Sequence, residues 1–458
     1  ESSAERLIEE ANRFTEAGDL EAARQKFAEA VRVAHERESP ESWRESLLSF
    51  GGWLTEHGEP VEAMRHVRKA YSLATEWQDE ASRARAANLL GWLEHTQDHD
   101  ERARALIEES KELSESLGDD AGLAGSLANL AMLDASTGEL EPALEGLERA
   151  AEIYALLGEP EALARTKANI AGMYRAVGRF DEAIDLFQEV LEAFDELELK
   201  ADVAATLGNM AAVHRLRGEF IIAAELYERA HRLFQEAEDR IGEAFALGNI
   251  ADLARLRDET DEALATYEEA ATMFEAGEER LNAGVSRNKA ADLLASNGRF
   301  EEALAQYRSA LEQFEAASDP FGEAVTISAL GSTLRMLGRP EESRQHFEEA
   351  LARFELLADS HNEAVAYGNL GNLLKDVGEA DAAREAYDSA RYRFAENDDP
   401  SNEGLTLRNI GDLEERRGRP DEAREAYVHA LDLATSHEDH GARGRSEERR
   451  VGKECFLL

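Results

Sequence analysis

The sequence contains little of several residue types, and each shortage narrows the choice of fold. Its 458 residues include 8 prolines and one cysteine, and aromatic residues make up 7%. Because proline interrupts helices, its scarcity permits long helices. So few aromatic residues suit helices packed through small side chains better than a β-sandwich. No apolar run reaches the length of about 18 residues that a transmembrane helix needs, so none is expected.

Positive charge is also scarce. The 51 Lys and Arg residues face 97 Asp and Glu residues, which gives a net charge of −46, and only 8 of the basic residues are lysines. Such a surface repels phosphate backbones and anionic lipid, so we expect no nucleic-acid or membrane partner. A salt-loaded cytoplasm or GC-rich coding would each explain this composition. No segment resembles a signal peptide, and we expect a cytoplasmic protein.

Sequence motifs of catalysis are missing as well. There is no glycine-rich phosphate loop and no nucleophile elbow. His95 and His99 are four residues apart, but a predicted turn at Asp98 breaks the helix that a metal-binding pair would need. The many carboxylates fall on predicted solvated helix faces. We therefore predict that the protein is not an enzyme and holds neither a metal ion nor a cofactor.

A 40-residue period runs through nearly the whole chain. Its clearest marker is a glycine at a fixed place, and Asp98 and Asp258 fill the two gaps in the series. Both residue types tolerate the left-handed backbone of a tight turn between helices. The glycines are Gly18, Gly58, Gly138, Gly178, Gly218, Gly298, Gly338, Gly378 and Gly418.

Further columns of the repeat describe two packed helices. The position seven residues before each turn holds only Ala or Gly, and the position five residues after it holds only Ala or Ser. Such small side chains indicate two places where helices approach each other closely. Nine residues after the turn the side chain is large in every repeat, as in Phe187, Tyr307 and Phe347. These positions form one stripe at helical spacing. Each repeat is therefore predicted to be a helix A, a turn, a helix B and a short polar link such as Glu238–Asp239.

This pattern of small residue, turn glycine, alanine and aromatic residue resembles the tetratricopeptide repeat. The segment from Tyr367 to Asn372 is similar to the Leu-Gly-Asn repeat proteins and to kinesin light chains. The resemblance implies an all-α solenoid, a right-handed superhelix of about eleven tandem helix-turn-helix repeats spanning residues 1–438. It also implies that extended peptides bind in the concave groove lined by the A helices.

An asparagine column lies nine residues before the turn. Asparagine is unfavourable inside a helix, so its recurrence needs a reason. In the family this column holds the main chain of a ligand, because an amide donates and accepts hydrogen bonds at once. Bonding to the helix of a neighbouring repeat is the alternative explanation. The candidate residues are Asn129, Asn169, Asn209, Asn249, Asn369 and Asn409, together with Asn372 one turn further along its helix.

A basic column lies three residues before the turn, beside the asparagines. Arginine next to asparagine suits a ligand carboxylate, which predicts an acidic partner segment. Pairing with neighbouring acids, among them Asp252, Asp292, Asp376 and Asp412, is the alternative. The candidate residues are Arg175, Arg215, Arg255, Arg335 and Lys375.

The C-terminal end departs from the period. Residues 439–444 are predicted to begin a twelfth repeat, after which the pattern stops. The string RSEERRVGKEC, from Arg445 to Cys455, resembles a translated sequencing adapter, so residues 445–458 are predicted to be a non-native tail. The only cysteine falls in it and therefore says nothing about redox compartment.

Two functions fit the sequence. The first is a scaffold that binds a protein or an extended peptide in its groove. The second is the sensor or regulatory region of a larger signalling protein with a kinase, cyclase or transcription-regulator domain. Occupation of the groove by a second copy of the chain stays open.

Overall fold

Helices make up nearly all of the backbone in the computed structural model, which describes residues 2–16, 18–97 and 99–440. No strand occurs among these residues. The described residues divide into two compact units, one that runs up to Glu198 and one from Leu199 onward. The predicted all-α solenoid of helix-turn-helix repeats is confirmed.

The N-terminal unit contains five helical hairpins. Its helices are α1 (Ser3–Glu16), α2 (Leu20–Arg37), α3 (Pro40–Glu56), α4 (Pro60–Glu76), α5 (Glu80–His95), α6 (Asp100–Leu117), α7 (Asp120–Ser136), α8 (Leu140–Leu157), α9 (Pro160–Ala176) and α10 (Phe180–Glu196).

The C-terminal unit contains six more hairpins, repeats 6 to 11. Its helices are α11 (Lys200–Leu216), α12 (Phe220–Glu236), α13 (Arg240–Leu256), α14 (Thr260–Ala276), α15 (Arg280–Ser296), α16 (Phe300–Ala317), α17 (Pro320–Met336), α18 (Pro340–Leu356), α19 (Ser360–Val377), α20 (Ala380–Glu396), α21 (Pro400–Arg416) and α22 (Pro420–His440). Odd-numbered helices are the A helices and even-numbered helices the B helices.

Left-handed backbone marks the turn inside every described hairpin. The turn glycines have positive φ, and Asp258 takes the same conformation with φ 60°. Asp98 lies outside the described residues. Later links between repeats turn in the same way, for example at Gly118, Gly158 and Glu238, whereas the first link is extended at Glu38. The chain thus reverses about every 20 residues, which places A and B helices in strict alternation.

Helix starts follow from local chemistry. Seven of the eight prolines open a helix, where the missing N–H costs no hydrogen bond. The side chain of Asp239 accepts a hydrogen bond from the Gly242 N–H at 2.8 Å, which caps α13. Asp359 does the same for α19, through the Asn362 N–H at 3.0 Å. These caps fix where α13 and α19 begin, whereas α9, α11 and α15 start without a side-chain cap.

The small and large columns pack against each other inside each hairpin. A Cβ added to Gly371 would lie 2.6 Å from the Tyr387 ring, and one added to Gly411 would lie 2.4 Å from the Tyr427 ring. Both rings belong to the B helix of the same repeat. The close approach predicted from the small columns is confirmed, because no side chain larger than the existing one fits there.

The last described helix is longer than the others. Helix α22 runs to His440, so Glu438 and Asp439, where the sequence predicts a link, are helical. Neither residue has the positive φ that turns the chain at Glu238. Residues 441–458, which include most of the predicted twelfth repeat, the tail and Cys455, lie outside the described residues.

Candidate functional site

Successive A helices approach each other within each unit. Such contacts join α1 to α3, α3 to α5 and α5 to α7 in the N-terminal unit, and α15 to α17 and α17 to α19 in the C-terminal unit. No B helices of successive repeats come comparably close among the described residues. The A helices therefore form the inner side of each unit. We call the inner side of α11, α13, α15, α17, α19 and α21 the A face.

The asparagine column is partly exposed along its whole length. In the N-terminal unit, the Asn129 amide donates to Asn88 Oδ1 on the preceding A helix at 3.0 Å, as the stacking alternative expects. Asn169 is half-buried on α9.

The C-terminal unit differs. The amides of Asn249, Asn369 and Asn409 form no hydrogen bond with any other described residue, although each is held on the A face. Asn209 stands in the same column on α11. Asn372 instead accepts a hydrogen bond from the Tyr387 hydroxyl at 2.8 Å, which ties it to its own B helix.

An apolar row runs beside the asparagines on the A face. It lies four residues before the asparagine position, and residues four apart share one face of a helix. Its members are Phe245, Val285, Val325, Val365 and Leu405. Leu405 is 48% exposed, Val285 39% and Phe245 36%. The sequence analysis missed this row, although its regular 40-residue spacing was visible.

The acids of the A face are all partnered. Asp252 accepts from the Tyr267 hydroxyl and pairs with Lys289 at 2.9 Å. The other three contacts run from Tyr307 to Asp292, from Tyr427 to Asp412 at 2.7 Å, and from Arg335 to Asp376 at 2.5 Å. Lys289 and Arg335 therefore neutralise Asp252 and Asp376, whereas Asp292 and Asp412 accept from uncharged hydroxyl donors.

The basic column is not uniform. Arg175 is buried, with 7% of its surface exposed. Arg335 is engaged by Asp376 of the next repeat, as the alternative explanation expects. The Lys375 ammonium lies 5.9 Å from the centre of the Tyr387 ring. Arg215 is half-buried and Arg255 is exposed.

Two cavities open along the A helices. The larger has a volume of about 590 Å³ and lies among α15, α17 and α19. Asp292, Val325, Arg335 and Asn369 contribute to its walls. The smaller, about 350 Å³, lies among α3, α5 and α7 of the N-terminal unit and is lined by Asn129.

Both histidines of the predicted pair contact carboxylates close to them in the sequence. His95 Nδ1 lies 2.7 Å from Asp100 Oδ1, and His99 Nδ1 lies 2.9 Å from Glu94 Oε2. Across residues 2–16, 18–97 and 99–440, no group of three or more His, Cys, Asp or Glu side chains is arranged to hold a metal ion. Nor does any helix in those ranges combine the length and apolar character needed to span a bilayer.

Comparison with known families decides the relationship that the repeat suggests. A model of the tetratricopeptide repeat matches residues 122–196, 202–276, 282–356 and 359–436, together more than half of the chain. The chain belongs to the tetratricopeptide repeat family. No curated protein matches its sequence.

Solved tetratricopeptide-type structures share the fold. A Rap protein complexed with Competence and Sporulation Factor has 16% identity and a TM-score of 0.50, covering 74% of this chain and 99% of its own. The apo quorum sensor NprR from B. thuringiensis has 15% identity and a TM-score of 0.51, covering 76% and 98%.

A signal transduction ATPase with a tetratricopeptide repeat sensor, from Pyrococcus horikoshii, also matches. It has 12% identity and a TM-score of 0.52, and the match covers 87% of this chain. The chain spans about half of that protein, 54% of its length. Identities this low establish the shared fold alone.

Tyrosine–acid contacts that the sequence analysis did not foresee join the two helices of three hairpins, those of repeats 7, 8 and 11. They join residues 15 apart, from helix A to helix B of one repeat. Four of the five tyrosines in the large column stand 15 residues after an Asp or Asn, whereas Tyr227 follows Ala212. That spacing was the signal from which these contacts could have been predicted.

We expect Asp292→Asn to raise the melting temperature at neutral pH. Desolvation by neighbouring protein atoms raises the pKa of Asp292, against the opposing effects of the Tyr307 hydrogen bond and the Arg255 charge. A raised carboxyl pKa favours the protonated folded state, so the ionised form costs stability above that pKa. Asparagine keeps an acceptor for Tyr307, as Asn372 does for Tyr387.

Thermal melts of Asp292→Asn and its parent across pH test this expectation. The advantage of the variant should shrink as the pH falls through the raised pKa, and should vanish below the usual Asp range. A variant less stable than the parent at neutral pH would show that the carboxylate contributes more to the Tyr307 contact than its desolvation costs.

Proposed function

We propose that this protein is a non-catalytic scaffold that holds an extended segment of a protein partner along the A face. The observation that carries the proposal is the row of unpaired amides at Asn249, Asn369 and Asn409 beside an exposed apolar row. An extended chain offers what each row needs. Its backbone presents N–H and C=O groups to the amides, and its side chains reach the apolar row.

Electrostatics support the same proposal. The ion pairs at Asp252 and Asp376 reduce the repulsion that the net charge of −46 exerts on an acidic partner. Arg215 and Arg255 are the residues we propose for a ligand carboxylate. Binding therefore rests on main-chain hydrogen bonds and apolar contact, with a smaller ionic contribution that falls as salt rises.

Removing the amides provides the test. Peptides selected from a random library with the full chain as bait would be measured by fluorescence polarisation. We expect the triple variant Asn249→Ala, Asn369→Ala, Asn409→Ala to bind about tenfold more weakly, equivalent to about 1.4 kcal/mol. The hydrogen bonds lost are each worth roughly 0.5–1.5 kcal/mol.

A matched control removes an amide elsewhere. Gln345 is exposed on the B helix α18, so Gln345→Ala should leave peptide affinity unchanged. Equal affinities for the parent, the control and the triple variant would refute the amide row as a binding element. Library selection that enriches no peptide over an unrelated bait would refute the scaffold itself.

A second candidate is the sensor region of a larger signalling protein. The observation in its favour is the fold likeness to the signal transduction ATPase with a tetratricopeptide repeat sensor, a match that covers 87% of this chain. Sequencing the complete gene tests it. An ATPase, kinase, cyclase or DNA-binding domain in the same reading frame would support this candidate, and a gene encoding only repeats would contradict it.

A further inference from the structure

The asparagine column is interrupted at two neighbouring repeats. Repeats 8 and 9 have Lys289 and Ala329 where their neighbours have Asn249 and Asn369. Two other columns of the repeat also hold smaller side chains in these repeats. Repeat 8 has Ala295 where repeat 9 has arginine, and repeat 9 has Ser332 where repeat 10 has Asn372. From the sequence alone, these changes look like a loss of the repeat pattern.

In the structure, the interrupted repeats border a cavity. Ala295, Ala329 and Ser332 all line the 590 Å³ cavity among α15, α17 and α19. Lys289 does not fill it, because its ammonium lies 2.9 Å from Asp252 on the preceding A helix. The small side chains therefore leave open the space that larger residues occupy in neighbouring repeats.

The cavity wall is mixed, with an apolar part of five large side chains beside serine, threonine and tyrosine hydroxyls. Val325, Val365 and Met336 line it, and the latter is 54% exposed. The two charged residues of the wall are engaged, Asp292 by the Tyr307 hydroxyl and Arg335 by Asp376. An apolar occupant would bury surface against the valine and methionine side chains, whereas an anionic occupant would find Arg335 already paired with Asp376.

At the rim of the cavity lies an unpaired amide. Asn369 lines it and forms no hydrogen bond with any other described residue. Val365, four residues earlier on α19, turns to the same opening. A backbone held at Asn369 would thus carry its neighbouring side chain into the cavity, and the volume falls within the usual range of about 300–1,000 Å³ for ligand sites.

We propose that this cavity is the specificity pocket of the groove and that it takes one bulky apolar side chain, aromatic or branched, of the bound segment. The inference rests on the proposed scaffold function and deepens it. The amides of the flanking repeats bind the backbone of any extended segment, and the cavity at the gap in the asparagine column selects the side chain that enters it. An aromatic anchor in a central pocket is the commonest form of binding hot spot.

A variant that fills the pocket with residues the chain already uses provides the test. Ala329→Asn with Ser332→Asn copies the residues of repeat 10, Asn369 and Asn372, so the fold should tolerate both. Ala212→Asn, at the corresponding position of repeat 6, is the matched control outside the pocket. Each full chain would select peptides from the same random library, and circular dichroism would verify folding.

The parent and the control should enrich peptides with a large apolar residue at one shared position, and the filled variant should lose that preference. The peptide selected by the parent should bind the filled variant about tenfold more weakly. Replacing its apolar residue with alanine should weaken binding to the parent but not to the filled variant. Coupling of this kind in a double-mutant cycle reports direct contact.

Other outcomes would overturn the inference in distinguishable ways. An unchanged apolar preference in the filled variant, or additive effects in the cycle, would reject the pocket while leaving the scaffold intact. Enrichment by neither parent nor variant would reject both. Should the filled variant fail to fold, Val365→Ala enlarges the same wall, and the preference should then shift to a larger side chain; an unshifted preference would count against the pocket.

Discussion

Replacing Phe347 with alanine is expected to lower the free energy of unfolding by about 3–5 kcal/mol, the usual cost of removing a buried aromatic side chain. Phe347 is fully buried on α18. Its ring lies in the large column, where a Cβ added to Gly331 of α17 would come within 3.0 Å of it. Truncation therefore leaves a cavity between the two helices of repeat 9.

The loss should also be local. In a repeat array each hairpin contacts chiefly its neighbours, so the opening energy of one repeat falls without an equal change in distant ones. Hydrogen exchange followed by mass spectrometry should show lost protection in α17 and α18, with smaller changes in α13 and α14. Chemical denaturation would measure the total change in the free energy of unfolding.

Leu356 provides the control on the same helix. It is 88% exposed, so Leu356→Ala should change stability by no more than about 0.5 kcal/mol. Equal effects of the two substitutions would contradict the packing described for repeat 9.

Two glycines of α19, three residues apart, should respond with opposite signs to the same substitution. Gly371→Ala is expected to destabilise by about 1–3 kcal/mol, because its Cβ would lie 2.6 Å from the Tyr387 ring carbons. Gly368→Ala is expected to stabilise by about 0.5–1 kcal/mol. Its Cβ would meet no atom within 4 Å, and alanine loses less backbone entropy in a helix than glycine does.

Denaturant titration of the two variants against the parent checks the signs. The pair isolates packing from helix propensity, since propensity acts in the same direction at both positions. A destabilised Gly368→Ala variant would indicate that another element covers that face of α19. A stabilised Gly371→Ala variant would mean that α19 and α20 are not packed as closely as described.

The repeating features of the fold could be predicted from the sequence. Positions such as Gly378, Gly371 and Tyr387 recur in many repeats, and each is constrained by a turn or a contact within its own hairpin. Such constraints act over about 20 residues and repeat at every period, so they leave a visible column. The left-handed turn at Asp258 was predictable for the same reason.

Which candidate site residues are bonded to other residues of the protein could not be predicted from the repeat pattern. Asn129 and Asn369 occupy the same column, yet Asn129 is bonded to Asn88 of the preceding repeat and Asn369 is unpaired. Arg335 and Arg255 likewise share a column, and only Arg335 is paired with an acid of the next repeat. These differences depend on residues about 40 positions away, whose side chains meet only after the repeats stack.

The sequence by itself determined the family, the all-α repeat architecture, the hairpin turns and the close packing of small on large residues, because each follows from local helix geometry repeated along the chain. Only the tertiary structure decided which amides are available, that cations of neighbouring repeats pair with Asp252 and Asp376, and that Ala295, Ala329 and Ser332 open one cavity. Available space is a property of several helices at once, and a break in a column becomes a pocket only when the surrounding helices remain in place.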